Sequence, residues 1–427
     1  MQEEFLHHVW KYQKFDTKST LKTNQGEIIE IINTGRHNQQ HSGPDFFNAK
    51  IKIGNQVWAG NVEIHKKSSD WYAHHHEEDP SYDNVILHVV WEDDVEVYRS
   101  KQEIIPSLSL KTFVDDQTFE NYKKLVGIPS KQINCEKDFA KFDDFTMNNW
   151  LERMYIERLE TKSRLILKLL ESSKNNWEEV LFKLLAKNFG LNRNGEAFLN
   201  MAERLCYKMI VKHSSSVQEL EALFLGTCGL LDIKSEDTYI LNLQKSYNYL
   251  KHKHQLKKAL IRPQFFRLRP DNFPSLRLAQ LAGVYTKEPQ LFQLMIKLKS
   301  KKDFYSFFNI ELPEFWMKHY SLTKESNQKR KKLSSAFIDL LMINTIIPIR
   351  FCYEKLKSEP NFDELLKLIS NIKAEKNRKV NVFENLRPNT NSSALQSQAL
   401  LQLKTNYCDK NYCLKCHLGQ KLINQSV

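Results

Sequence analysis

The sequence predicts an α+β protein: an N-terminal mixed-sheet α/β domain, a mainly α-helical basic region and a short cysteine-rich C-terminal segment. Three observations predict it. Short runs rich in Val and Ile, bounded by turn residues, crowd the first 113 residues. From Trp150 onward apolar residues recur at helical spacing. Three cysteines fall within nine residues near the C-terminus. At 427 residues the chain exceeds the size at which single cores stop growing, so two or three domains are expected.

Residues 3–14 form the first expected helix, with Phe5, Leu6, Val9 and Trp10 as its apolar stripe. Strand material follows at residues 27–34, 46–53, 56–65, 84–92 and 95–98, and Gly54-Asn55 has the form of a two-residue hairpin turn. Helical patterns then cover residues 150–170, 176–189, 196–212 and 217–231. Pro263, Pro270 and Pro274 interrupt a later stretch, and residues 385–396 look like a connection. The expected division is an α/β domain at 1–118, a linker at 119–145, a basic helical domain at 146–385 and a metal-binding segment at 386–427.

Charge is unevenly spread. Residues 1–130 hold 14 Lys/Arg and 20 Asp/Glu, whereas the remaining 297 hold 49 basic and 31 acidic residues. An acidic domain joined to a basic one suits a protein that holds a polyanion and acts on it; solvated lysine-rich helix faces give the same count. No apolar run reaches the roughly 18–20 residues of a membrane span, and the N-terminus has neither a basic nor an apolar leader region. Seven cysteines without a regular framework read as reduced thiols and metal ligands. A cytoplasmic protein without a membrane partner is expected.

The chemistry concentrates between His41 and His88. The chain reads His41-Ser42-Gly43-Pro44-Asp45, then Asn61-Val62-Glu63-Ile64-His65-Lys66, then a run with His74, His75, His76, Asp79 and Asp83 before His88. Strand alternation puts Glu63 and His65 on one face. Asp45 is harder to place. With a strict two-residue turn at Gly54-Asn55, Ile53 pairs with Gln56 and Asp45 falls opposite Ile64, on the wrong face; a bulge or an odd-length loop would bring it opposite Glu63 or His65. Two carboxylates suit a hard cation, Mg²⁺ or Mn²⁺, which polarises a phosphate and activates water. A basic group two residues after the Glu would orient that water or stabilise developing charge.

Pro44-Asp45 followed by Glu63-Ile64-His65-Lys66 resembles the PD-(D/E)XK nuclease superfamily. The resemblance implies Asp45, Glu63, His65 and Lys66 as catalytic residues, with Asp45 and Glu63 on the metal and Glu3 or Glu4 as an extra acidic member. His65 stands where that pattern has Lys, and Lys66 is one place out of phase. A wider pattern also includes Gly43-Pro44-Asp45-Phe46, residues 60–65, Asp70-Trp71, residues 82–90 and residues 266–274. It resembles an uncharacterised bacterial family known mainly as a domain of unknown function.

Around this core, His74, His76 and Asp79 read as a site rim or as solvent-exposed loop residues, and His88 as a hydrogen-bonded core histidine. Cys408-x4-Cys413-x2-Cys416-His417 has metal-ligand spacing, with Cys135 or His417 to complete it, and either zinc or an iron–sulfur cluster as occupant. Some PD-(D/E)XK nucleases pin a terminal segment with such a cluster, which the resemblance allows here. Cys206, Cys228 and Cys352 lie in apolar helical runs and read as core. Arg262, Arg267, Arg269 and Arg277 interleave with Phe265, Phe266 and Phe273, as phosphate clamps with stacking aromatics or as a structural arginine network.

The leading expectation is a metal-dependent, nuclease-like phosphodiesterase acting on DNA or RNA. The alternatives are a non-catalytic nucleic-acid-binding scaffold with a structural metal site, and a metal hydrolase using His74, His76 and Asp79 on a small substrate. The sequence leaves open DNA versus RNA, zinc versus iron–sulfur, and the oligomeric state.

Overall fold

The computed structural model describes residues 1–16, 19–38, 42–126 and 132–424. His41 and residues 127–131 of the expected linker lie outside the described residues. The chain forms two compact units, Met1–Trp150 with Leu403–Val427, and Leu151–Gln402.

In the first unit, α1 (Glu3–Lys11) presents Phe5, Leu6, Val9 and Trp10 from one face, and all four are fully buried. Glu3 and Glu4 in its first turn and Lys11 in its last suit the helix dipole. The stripe packs on Ile51, Val62, Ile64, Val89 and Leu108 of a seven-stranded sheet. Each such side chain removed from water stabilises the unit by about 1.5–3 kcal/mol.

The strands are β1 (Leu21–Lys22), β2 (Ile28–Asn33), β3 (Arg36–His37), β4 (Phe46–Ile53), β5 (Gln56–Lys67), β6 (Val85–Glu92) and β7 (Ser107–Ser109). They lie in the order β1-β2-β4-β5-β6-β7, with β3 also on β4. The first four of that order are antiparallel, whereas β5, β6 and β7 are parallel. Parallel neighbours on both sides explain why β6 is apolar and buried along Val85–Val90 rather than alternating. A short helix, α2 (Asp70–Ala73), follows β5. Residues 95–98, expected as a strand, contribute only an isolated bridge, Tyr98 to Ile104.

The β4–β5 hairpin turns at Gly54-Asn55 with Ile53 opposite Gln56, and the register runs unbroken to Ala49 opposite Gly60. There it shifts: Phe46 lies opposite Val62, so Phe47 and Asn48 together face Asn61. Asn48 takes a left-handed φ of 58° and its N–H donates to Asn61 Oδ1 at 3.3 Å. This two-against-one bulge moves Asp45 from opposite Ile64 to opposite Glu63. On the other edge β5 and β6 also shift register at Asn61. Gly60 allows that approach, because a Cβ there would meet Ile86 Cγ2 at 2.4 Å and Asn84 O at 2.6 Å.

The divisions differ from those expected. Residues 119–145 are not simply a linker: α3 (Asp116–Val126) packs on α1, with Tyr122 stacked on Phe5 at 4.4 Å. The cysteine-rich end is not separate either. Its helix His417–Ile423 buries Leu418 and Ile423, and Asn121 Nδ2 donates to Ile423 O at 3.3 Å.

The second unit is helical. Helix α4 (Asp144–Ser172) continues into it, followed by α5 (Trp177–Phe189), α6 (Leu191–Arg204), α7 (Tyr207–His213), α8 (Val217–Thr227), α9 (Thr238–His254) and α10 (Pro274–Lys287). Asn176, Ser216 and Asp237 cap α5, α8 and α9 by accepting from N–H groups of the first turn. The segment Ser335–Lys355, with a π-helical turn at Met342–Ile346, is long and apolar enough to cross a membrane; 72% of its apolar window is buried inside the protein.

Candidate functional site

The bulge and strand alternation bring two carboxylates together. Asp45 N–H donates to Glu63 Oε2 at 3.0 Å, and Ile64 N–H donates to Asp45 Oδ2 at 3.0 Å. The second oxygen of Glu63, Oε1, lies 3.5 Å from His65 Nε2 and 3.4 Å from His76 Nε2. From α1, His7 Nε2 approaches Asp45 Oδ2 to 3.2 Å, while Glu3, one turn earlier, lies close enough for its charge to act on Glu63. Glu3 and His7 share a helix face because they are four residues apart.

Histidines close the other side. His65 is buried, with Nδ1 2.9 Å from His88 Nε2 and Nε2 3.1 Å from His74 Nδ1. His65, His74 and His76 each offer a nitrogen, and these atoms lie within 4.8 Å of one another. Tyr82 stacks on His76 at 3.8 Å, and Trp71 meets the edges of His76 and His88 at 5.3 and 5.5 Å. The indole N–H of Trp71 is anchored on Tyr98 O at 3.1 Å. The loop that carries His74 and His76 is thus held by aromatic packing against the sheet.

Burial and crowding set the charges. Burial, then the neighbouring Asp45 charge, pushes the Glu63 carboxyl well above its ordinary range. Burial, then the charge of His88, holds His65 far below its ordinary value. His76 is lowered to about 4 by burial and then by His74, and His88 to about 3 by burial and then by His76. Neutral imidazoles are the form in which histidine binds a metal, and a cation would reverse the penalty on Glu63. The groups that could hold a cation are the carboxylates of Asp45 and Glu63 and the imidazoles of His65, His74 and His76.

A family model described as a protein of unknown function, DUF2851, matches residues 3–378. The chain belongs to the DUF2851 family. No curated protein and no solved structure matches it.

The stretch matched by the DUF2851 model contains the whole carboxylate–histidine cluster, but not every residue expected there joins it. Lys66 is exposed, one residue out of phase with Glu63 and His65, so its side chain leaves on the other face of β5. Glu4 is exposed too; Glu3 is the acidic member directed at the cluster. Asp79 is exposed and accepts from Ser81 N at 2.8 Å, capping the short turn Pro80–Tyr82, although its charge still reaches His76. His88, a buried hydrogen-bonded histidine as expected, stands directly behind His65. The sequence reading omitted His7, for which the signal was its spacing of four from Glu3 on an amphipathic helix.

The arginines divide. Arg262, Arg267 and Arg269 are exposed, Arg262 donating to Gly229 O at 3.2 Å and Arg267 lying over the exposed Phe266 ring. Arg277 is 5% exposed: it donates to Gln280 Oε1 at 2.8 Å and Asn272 Oδ1 at 2.6 Å and lies 3.5 Å over Phe337. Burial on α10 therefore removes Arg277 from any phosphate clamp. Of the outlying cysteines, Cys228 and Cys352 are buried, whereas Cys206 is exposed just before α7 and is not core.

Proposed function

We propose that the chain is a metal-dependent phosphodiesterase of nuclease type, with its centre at Asp45, Glu63 and the surrounding histidines. The observation that carries this reading is the bulge-dependent pairing of Asp45 with Glu63, with His65 two residues further along the same strand face. The order helix, antiparallel meander, short helix, parallel strand supports it, since it sets Pro44-Asp45 at the start of one strand and Glu63-Ile64-His65 on the next. A divalent cation bound there would polarise a phosphate and activate water. Imidazole donors beside carboxylates suit Mn²⁺ better than Mg²⁺, which prefers oxygen ligands and retained waters.

Asp45 and Glu63 supply the hard oxygens and are held by backbone N–H groups on each other's strand. His65, kept neutral and backed by His88, takes the place of the lysine in the related pattern and helps to orient the attacking water. The exposed Arg267 and Arg269 beside Phe266 offer phosphate and stacking contacts to a nucleic acid.

The test is cleavage of labelled single- and double-stranded DNA and RNA, and of a bis-aryl phosphodiester, with Mn²⁺ or Mg²⁺. Metal-dependent hydrolysis lost in Asp45→Asn and Glu63→Gln supports the reading. Hydrolysis that is unaltered in both variants moves the chemistry elsewhere, and nucleic-acid binding without any hydrolysis favours a scaffold.

A further inference from the structure

Cys135 and the C-terminal cysteines, some 270 residues apart in sequence, meet in the first unit. Asn134, next to Cys135, donates through Nδ2 to Cys413 Sγ and to Asn411 Oδ1, both at 3.3 Å. Cys408 and Cys413 each begin a single 3₁₀ turn, and Cys416 precedes the helix His417–Ile423. Gly419 lies so close to the second of these turns that a Cβ would sit 2.2 Å from Cys413 O, so the turn folds tightly back on the helix. Cys135, Cys408, Cys413 and Cys416 lie close enough together for a charge on one to act on another. His417, the other candidate ligand, is exposed and packs against Trp150 instead.

We propose that Cys135, Cys408, Cys413 and Cys416 together ligate a thiolate-bound metal centre, a zinc ion or an iron–sulfur cluster, that fastens the C-terminal segment to the sheet unit. Four sulfur donors brought together from a short knuckle and one distant residue are the ligand set of either occupant. Among the described residues, no group of three or more donors all within 4.8 Å of one another contains a cysteine. A four-iron cluster, in which each thiolate binds its own iron, accepts that wider spacing without rearrangement.

The centre has a structural consequence near the candidate site. Leu414, between Cys413 and Cys416, packs on the same core as Phe5, Leu6 and Val9 of α1. Lys415 lies close enough to act on His37, whose ring meets that of His7 at 5.2 Å. Loosening the knuckle therefore reaches the helix that carries Glu3 and His7.

The experiment is metal and sulfide analysis of full-length protein purified anaerobically without chelator, with visible absorption spectra. Iron with acid-labile sulfide and a broad visible band, or about one zinc per chain, supports the centre and tells the two occupants apart. Cys413→Ser should lose most of that metal, while Cys206→Ser should keep it. Wild-type protein that carries no metal and in which all four thiols alkylate freely without denaturant overturns the proposal. So does full metal content in Cys413→Ser and Cys135→Ser alike. The readout does not depend on phosphodiesterase activity, so its failure is separable from failure of the functional reading.

Discussion

Asp45 and Glu63 hold each other's strands: Asp45 N–H donates to Glu63 Oε2, and the N–H next to Glu63, that of Ile64, donates to Asp45 Oδ2, both at 3.0 Å. Each carboxylate thus accepts from a backbone donor just beyond Phe46–Val62, the last pair of the β4–β5 ladder. A residue proposed as a metal ligand is here also part of the sheet's hydrogen bonding.

That relationship separates two substitutions at the same position. Asp45→Asn keeps an oxygen for Ile64 N–H and should unfold near the wild-type temperature, whereas Asp45→Ala leaves that donor unmatched and should cost about 1–3 kcal/mol. Glu63→Gln removes the crowding of two carboxylates and should leave the metal-free protein as stable as wild type or slightly more so. Thermal unfolding with and without Mn²⁺ reads all three. Wild type should gain about 2.7 kcal/mol at a hundred times the dissociation constant, and Asp45→Asn and Glu63→Gln should gain little. An equal Mn²⁺ response in wild type and both of these variants would remove the two carboxylates from the ion.

The register that the bulge sets is testable. Inserting one glycine between Asp45 and Phe46 should keep Phe46 opposite Val62, set Asp45 opposite Ile64 and turn its carboxylate to the far face. The protein should still fold, because the hairpin and the apolar face stay in register on the Gly54 side, yet Mn²⁺ stabilisation should vanish. Asn48→Gly should keep metal binding, since the left-handed φ of 58° suits glycine. Metal binding retained in the insertion variant contradicts the register argument.

The α+β division, the first helix, the Gly54-Asn55 hairpin and the shared face of Glu63 and His65 were all legible, because strand and helix periods depend on local pattern. The sequence also stated the condition for Asp45, an irregularity, without locating it at Phe47-Asn48; a bulge depends on what the partner strand tolerates, here Gly60 and Asn61. The His7–Asp45 and His65–His88 contacts were not legible, because each joins elements whose contact is made only by folding. The arginines misled for a related reason. Arg267 and Arg277 look alike in sequence, but α10 buries only the second.

Arg277→Ala should therefore act on stability and Arg267→Ala with Arg269→Ala on binding. The first strands Gln280 Oε1 and Asn272 Oδ1 and removes the cation over Phe337, a loss of roughly 3 kcal/mol or more. It should leave the salt dependence of nucleic-acid binding as it was. The double variant should unfold like wild type but bind with a shallower slope against salt, because fewer condensed counterions are released. Fluorescence anisotropy at several salt concentrations checks both, and equal slopes in the double variant and wild type would sink the clamp idea.

The helical unit should also carry a pH dependence of its own. Glu221 on α8 is fully buried, its oxygens accepting from Tyr239 Oη and, at 2.9 Å, from Trp316 Nε1. Burial pushes its carboxyl from 4.5 up to about 7 against the pull of those two donors. A folded-state pKa raised in this way means that the folded form holds its proton after the unfolded chain has lost it. The stabilising contribution is complete below about pH 4.5 and is lost as pH rises through about 7. Over that window the loss is on the order of 3 kcal/mol, at 1.36 kcal/mol for each unit of difference. Glu221→Gln fills the same space without an ionisable proton, so its unfolding free energy should be flatter between pH 5 and about 7, and it should be more stable than wild type near pH 8. Urea unfolding monitored by the fluorescence of Trp177 and Trp316 across that range makes the measurement. A wild-type profile parallel to that of Glu221→Gln would show that Glu221 ionises in the folded protein as it does in the unfolded chain.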